Sequence, residues 1–174
     1  MPRSNHADRG ELLYIGQSRI DGDGLFSRKS FSRDEVVSEL YGTILPAPNH
    51  RSIQIGRNKH FYNRYVDYIN HSCMPTSYIR VLGDRVQLVA FKPIEKDSGE
   101  ITINYNYSEY SLARPFKCKC CREASVISGY KYLVADADED YVKLLQEYAV
   151  PYLRDLAREE PASGSIGKRA IEAA

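Results

Sequence analysis

The chain has 174 residues, with 24 Lys plus Arg against 23 Asp plus Glu and a formal net charge of +1. That length supports one domain with a core, or one domain with a short appendage, rather than two independent cores. The charge balance gives no global pull toward nucleic acid or membrane, so neither direct nucleic-acid binding nor membrane association is expected.

Residues Met1 to Gly10 lack the apolar segment of a signal peptide, and no run approaches the roughly 18–20 apolar residues of a membrane span. A soluble, intracellular protein is expected, with cytoplasm and nucleus not distinguished. The composition includes 14 Tyr and no Trp, giving many side chains that are apolar on the ring and polar at the tip. Such rings suit a channel for a cation, though a Tyr-rich strand protein would have them too.

Taken in order, residues 1–10 read as a flexible N-terminus, and Leu12-Leu13-Tyr14-Ile15 as a short buried strand ending at Gly16. Gly22-Asp23-Gly24-Leu25-Phe26 reads as a sharp turn in which the glycines permit close backbone approach. The run from Val36 to Leu45 reads as one strand stopped by Pro46, and the stretch from Pro46 to His60 as turns around a short strand, Ser52-Ile53-Gln54-Ile55. Val66 to Ile69 leads into Asn70-His71-Ser72-Cys73-Met74-Pro75, which by itself is compatible with a turn. Tyr78 to Leu82 and Val86 to Phe91 predict a hairpin about Gly83-Asp84. Glu100 to Tyr105 predicts a last short strand with Ile101, Ile103 and Tyr105 on one face. From Asp138 the apolar spacing Val142, Leu145, Ala149, Leu153, Leu156 predicts helix, kinked or restarted at Pro151. Residues 161–174 read as a disordered tail.

Four cysteines occur, Cys73, Cys118, Cys120 and Cys121, and the last three lie too close together for a conventional disulfide framework. Free thiols or a metal site are favoured instead. A cysteine hydrolase using Cys73 with His71 or His60 would need a nucleophile signature that the chain lacks.

Four segments coincide in order: Gly22-Asp23-Gly24-Leu25-Phe26, Tyr41-Gly42, Asn70-His71-Ser72-Cys73-Met74-Pro75, and Glu100-Ile101-Thr102-Ile103-Asn104-Tyr105-Asn106. Together they resemble the SET-domain protein lysine methyltransferases. The resemblance implies a mainly β fold of several small sheets, with the Asn70 and Tyr105 segments crossing as a pseudoknot, plus a short C-terminal helical appendage. The implied division is residues 11–114 for the SET domain, 115–133 for a post-SET-like cysteine segment and 134–160 for the appendage, with no pre-SET region.

It further implies S-adenosyl-L-methionine as cofactor, held by Gly22, Asp23, Gly24, Leu25 and Phe26, by Asn70 and His71, and by Phe116 over the adenine. Tyr105 and Tyr41 would be catalytic, and Ile103 would line the substrate channel with Tyr105. The implied partner is a protein presenting a lysine, a histone tail or another basic protein; no oligomeric state follows. The alternative is a catalytically weakened SET-fold module that binds a peptide or the cofactor.

The chain departs from the family pattern at four places. Ile103 stands where Phe or Tyr is usual, and its lack of a hydroxyl implies a pocket that accepts di- or trimethylation. Thr76 replaces an Asn and Asn104 an Asp. Ser125 stands where a zinc-ligating cysteine is expected, which leaves Cys73, Cys118, Cys120 and Cys121 as the ligand set for Zn2+, against four reduced thiols.

Overall fold

A computed structural model describes residues 12–112, 114–120, 125–133 and 139–159. The first hairpin pairs β1 (Leu13–Gln17) with β2 (Asp23–Ser27), Gly16 opposite Gly24. β1 is not buried throughout: Leu13 enters the core, whereas Ile15, two residues on and therefore on the same face of the strand, is exposed. The glycine segment is a strand after Gly22 rather than a turn, and the turn is confined to Gly22, at φ +51°.

The predicted strand from Val36 to Leu45 is two strands in two sheets. β3 (Val36–Leu40) pairs with a later strand, while β4 (Thr43–Leu45) joins β5 (Ile53–Gly56) and β6 (Lys59–Tyr62) in the order β4-β6-β5. The chain leaves one sheet for the other at Tyr41-Gly42. A Cβ on Gly42 would overlap the Tyr62 carbonyl and come within 2.7 Å of the Phe61 ring, so only glycine passes there. β6 begins within the stretch up to His60 that the sequence pattern gives to turns; Asn58, at φ +60°, reverses the chain into it, and its His60 and Phe61 are buried.

After a short 3-10 turn, Val66–Tyr68, comes β7 (Asn70–His71). β8 (Ser77–Leu82) and β9 (Arg85–Ala90) form the predicted hairpin, Leu82 opposite Arg85 across Gly83-Asp84, and β3 completes the sheet on the far side of β9. Central position explains the apolar run Val86 to Ala90: Val86, Leu88, Val89 and Ala90 are fully enclosed.

β10 (Thr102–Ile103) is shorter than the predicted strand and pairs in parallel with β7, Thr102 opposite Asn70 and Ile103 opposite His71. Ile101 bridges Leu25 of β2. Sheet and bridge therefore bring the glycine strand, the Asn70 segment and the Glu100 segment together. One-sided alternation fails here: Ile101, Thr102, Ile103 and Asn104 are all buried, because neighbours cover both faces. Tyr105 begins a 3-10 turn, Tyr105–Tyr107, instead of extending the strand.

β11 (Phe116–Lys117) and β12 (Val126–Ile127) make a small hairpin beyond it. Among the described residues three helices follow, α1 (Tyr130–Leu133), α2 (Glu139–Tyr148) and α3 (Pro151–Glu159). Pro151 opens α3 as a first-turn residue, where its missing N–H costs nothing. Leu145, Tyr148, Ala149, Val150, Leu153 and Leu156 join the same core as Leu25 and Leu88, so the helical appendage is packed into the domain. The predicted flexible N-terminus and disordered tail lie outside the described residues. Among the described residues no helix is long and apolar enough to cross a membrane.

Candidate active site

Asn70 reaches from β7 to the glycine strand. Its Nδ2 donates to the carbonyls of Asp21 at 3.1 Å and Asp23 at 3.0 Å and to Glu100 Oε1 at 2.8 Å. Ser18 Oγ lies 2.8 and 2.9 Å from the Glu100 oxygens and accepts the Ile20 amide at 2.8 Å. The Glu100 carboxylate fills the place a Gly24 side chain would take, with Oε1 only 2.5 Å from an ideal Cβ.

The clearance at Gly24 thus admits Glu100, and the Asn70 amide clamps the turn around Gly22. Glu100 is the residue sequence reasoning missed here; a charge heading an otherwise apolar segment was the available signal. Of the other glycine-segment residues, Asp23 offers its carbonyl, Leu25 is fully buried, and Phe26 stacks on Tyr14 at 5.6 Å.

Just past the end of β10 stands Tyr105. Its hydroxyl donates to the Ile69 carbonyl at 2.8 Å, and its amide donates to His71 Nδ1 at 3.2 Å. Burial, reinforced by the charges of Glu109, Asp21, Asp67 and Glu100, pushes the phenol up to about 12, so it remains a donor at neutral pH. The rings of Tyr105, His71 and Phe116 meet edge-on, with centroids 5.3 to 6.0 Å apart.

A cleft of about 430 Å³ opens beside them, its walls including Ile69, Ile103, Tyr105, Glu109 and Phe116. Tyr41 is not among its lining residues: at 80% exposure it stands at the sheet crossing, its carbonyl held by Asn63 Nδ2. Asn104 anchors the Tyr105 turn by accepting the Asn106 amide at 3.1 Å and donating to Tyr141 of α2 at 3.1 Å. Thr76 ties Pro75 to β10 by donating to the Glu100 carbonyl and accepting the Thr102 amide, each at 2.8 Å.

The ligating atoms of His71, Cys73, Cys118 and Cys120 lie within 4.8 Å of one another. Cys73 Sγ is 3.6 Å from Cys118 Sγ, near the about 3.8 Å edge of a tetrahedron with zinc–sulfur bonds of about 2.3 Å. Cys120 Sγ accepts the Cys73 amide and Cys118 Sγ the Cys120 amide, both at 3.2 Å, contacts that favour thiolate. Burial and the neighbouring thiols raise Cys73 when no cation is present, a tendency a bound dication reverses.

The residue types suit a zinc ion, and Cys118 Sγ and Cys120 Sγ, 2.6 Å apart, would have to separate to share one. Cys121 falls outside the described residues, and His71 stands beside the three described cysteines as a hydrogen-bonding neighbour, with both ring nitrogens engaged. Burial drives His71 down to about 4, so the ring is neutral; with Nδ1 accepting from Tyr105, its proton sits on Nε2, 3.4 Å from Cys73 Sγ. Ser125 serves the hairpin with its backbone, its carbonyl accepting the Cys118 amide at 2.8 Å.

Residues 22–106 match the family model described as SET domain. Histone-lysine N-methyltransferase set-2 of Caenorhabditis elegans is 25% identical over 149 residues, covering 70% of this chain and 9% of the relative. Human histone-lysine N-methyltransferase 2D is 27% identical over 130 residues, covering 62% of this chain and 2% of the relative. The chain thus spans less than a tenth of either protein.

Among solved structures, KRYPTONITE in complex with mCHH DNA, H3(1-15) peptide and SAH is 22% identical with a TM-score of 0.51, over 64% of this chain and 28% of that one. KRYPTONITE with mCHG DNA and SAH gives 23% and 0.52 over the same shares. These likenesses establish the fold. With the family match, the β7–β10 pairing and the motif residues gathered around it, residues 22–106 of this chain are a SET domain.

Proposed function

We propose that this protein is an S-adenosyl-L-methionine-dependent protein-lysine N-methyltransferase acting on a histone or another basic protein. The observation that carries the reading is the Tyr105 hydroxyl, donated to the Ile69 carbonyl at the wall of the cleft, with Ile69 and Tyr105 flanking the paired β7 and β10 in sequence.

The cofactor supplies a methyl group on a positively charged sulfur. The backbone around Gly22 and Gly24, with Asn70 and His71, is assigned to hold it, and Phe116 to cover it. A lysine must arrive as the free amine, although in water its pKa is about 10.4. The walls formed by Ile69, Ile103 and Phe116 disfavour the ammonium by withholding water. Tyr105 and the Ile69 carbonyl then orient the amine, a positioning role that can be worth several kcal/mol. Ile103 adds bulk without a hydroxyl, so the pocket is assigned to di- or trimethylation. Cys73, Cys118 and Cys120 would hold a structural zinc that fixes the β11 hairpin against β7.

Incubation of the purified chain with labelled S-adenosyl-L-methionine and a panel of histones and basic peptides tests this. Transfer to lysine is expected, with di- or trimethyl product by mass spectrometry, and Tyr105→Phe should lower kcat by a hundredfold or more while retaining the fold. Cofactor binding without transfer to any substrate would favour the binding-module reading instead, and monomethyl product alone would reject the role given to Ile103.

A further inference from the structure

Glu109 is a cleft residue without a part in that account. It follows the Tyr105 turn, and its amide donates to the Tyr105 carbonyl at 2.8 Å. Among the described residues both hydrogen bonds to its carboxylate fall on Oε1, from the Gln54 amide at 2.8 Å and the Ser108 hydroxyl at 3.4 Å. It shares the cleft wall with Tyr105, Ile69 and Ile103.

The other charged or titratable side chains lining the cleft are His50, Arg51, Asp67 and Arg114, with the Tyr105 phenol. Asp67 pairs with Arg51 at 3.3 Å; among the described residues no basic side chain pairs with Glu109. Of the charges acting on the Tyr105 phenol, that of Glu109 is the largest. Burial, against the bonds from Gln54 and Ser108, raises the Glu109 carboxyl to about 7. A carboxylate without a basic partner among the described residues, on the same cleft wall as the residue that orients the amine, is placed to meet a cation.

We propose that Glu109 receives the ε-ammonium of the substrate lysine in this cleft and takes its proton, delivering the free amine to Tyr105. The inference rests on the methyltransferase reading. One N–H bond of the ammonium breaks and one O–H bond forms on the Glu109 carboxylate; its proton later returns to water through the cleft mouth. A cation and an anion become two neutral groups, a change that a poorly solvated site favours. The acceptor form of Glu109 is the carboxylate, so its contribution grows as pH rises through about 7.

Glu109→Gln tests the step because its amide oxygen can still accept the Gln54 N–H and keep the structural bond. We expect kcat to fall ten- to a hundredfold at pH 7, with the deficit closing toward pH 10 as lysine loses its proton in solution, and S-adenosylhomocysteine binding unchanged. A kcat and pH profile equal to the parent would overturn the proposal while leaving the methyltransferase reading intact.

A second measurement does not depend on turnover. Infrared difference spectra are taken as histone-tail lysine peptides are added to protein loaded with S-adenosylhomocysteine. A protonated-carboxyl band should appear in the parent and be missing in Glu109→Gln, and its absence from the parent would count against the step. That band without methyl transfer would sink the methyltransferase reading and keep Glu109 as the lysine acceptor; neither band nor transfer with any peptide would reject both.

Discussion

Gly24 shows how one missing side chain organises the cofactor side of the site. The space it leaves is taken by the Glu100 carboxylate, which Ser18 and Asn70 hold from two directions. Glu100 is flexible in principle, but moving it here breaks both bonds. Gly24→Ala should therefore cost about 1–3 kcal/mol by denaturant unfolding and weaken S-adenosyl-L-methionine binding in calorimetric titration. Unchanged stability together with unchanged affinity would show that Glu100 swings away freely. His71 is a comparable case: its Nδ1 holds the Tyr105 amide while Nε2 faces Cys73, so one ring links the cysteine group to the catalytic turn.

Among the elements, hairpins with a local turn signal were legible and strands defined by distant partners were not. Gly83-Asp84 between two apolar runs dictates the β8–β9 pairing without reference to the rest of the chain. The break at Tyr41-Gly42 depends on Phe61 and Tyr62 of β6 packing over Gly42, a contact with a later strand that no local rule contains. The β11–β12 hairpin has two residues per strand and little apolar area, so a metal is the natural source of its order. Elemental analysis of protein prepared with zinc should find one ion per chain, and Cys118→Ser should release it and lower the melting temperature. A parent protein free of zinc would leave the group as reduced thiols.

At the scale of the molecule, the C-terminal helices hold the site as well as the core. Val150 donates its amide to the Tyr107 carbonyl at 2.8 Å, Tyr141 accepts from Asn104, and Leu153 is fully buried. Leu153→Ala should cost about 2–5 kcal/mol by denaturant unfolding, because the cavity would open in the shared core. A cost below about 1 kcal/mol, the usual range of a surface change, would mean that the helices dock weakly.

The sequence by itself determined the motif set, the β8–β9 hairpin, a helical interruption at Pro151 and the resemblance to the SET family, because each is carried by residue chemistry over a few positions. Tertiary structure alone decided that Asn70 and Thr102 pair in parallel, that Gly24 makes room for Glu100, that Tyr41 stands outside the cleft, and that His71 joins Cys73, Cys118 and Cys120. Those facts arise from contacts between residues about 30 to 80 positions apart, such as Asn70 with Glu100 and Ser18 with Glu100. Local propensity and periodicity carry no information about such pairs; the shape of the shared core fixes them.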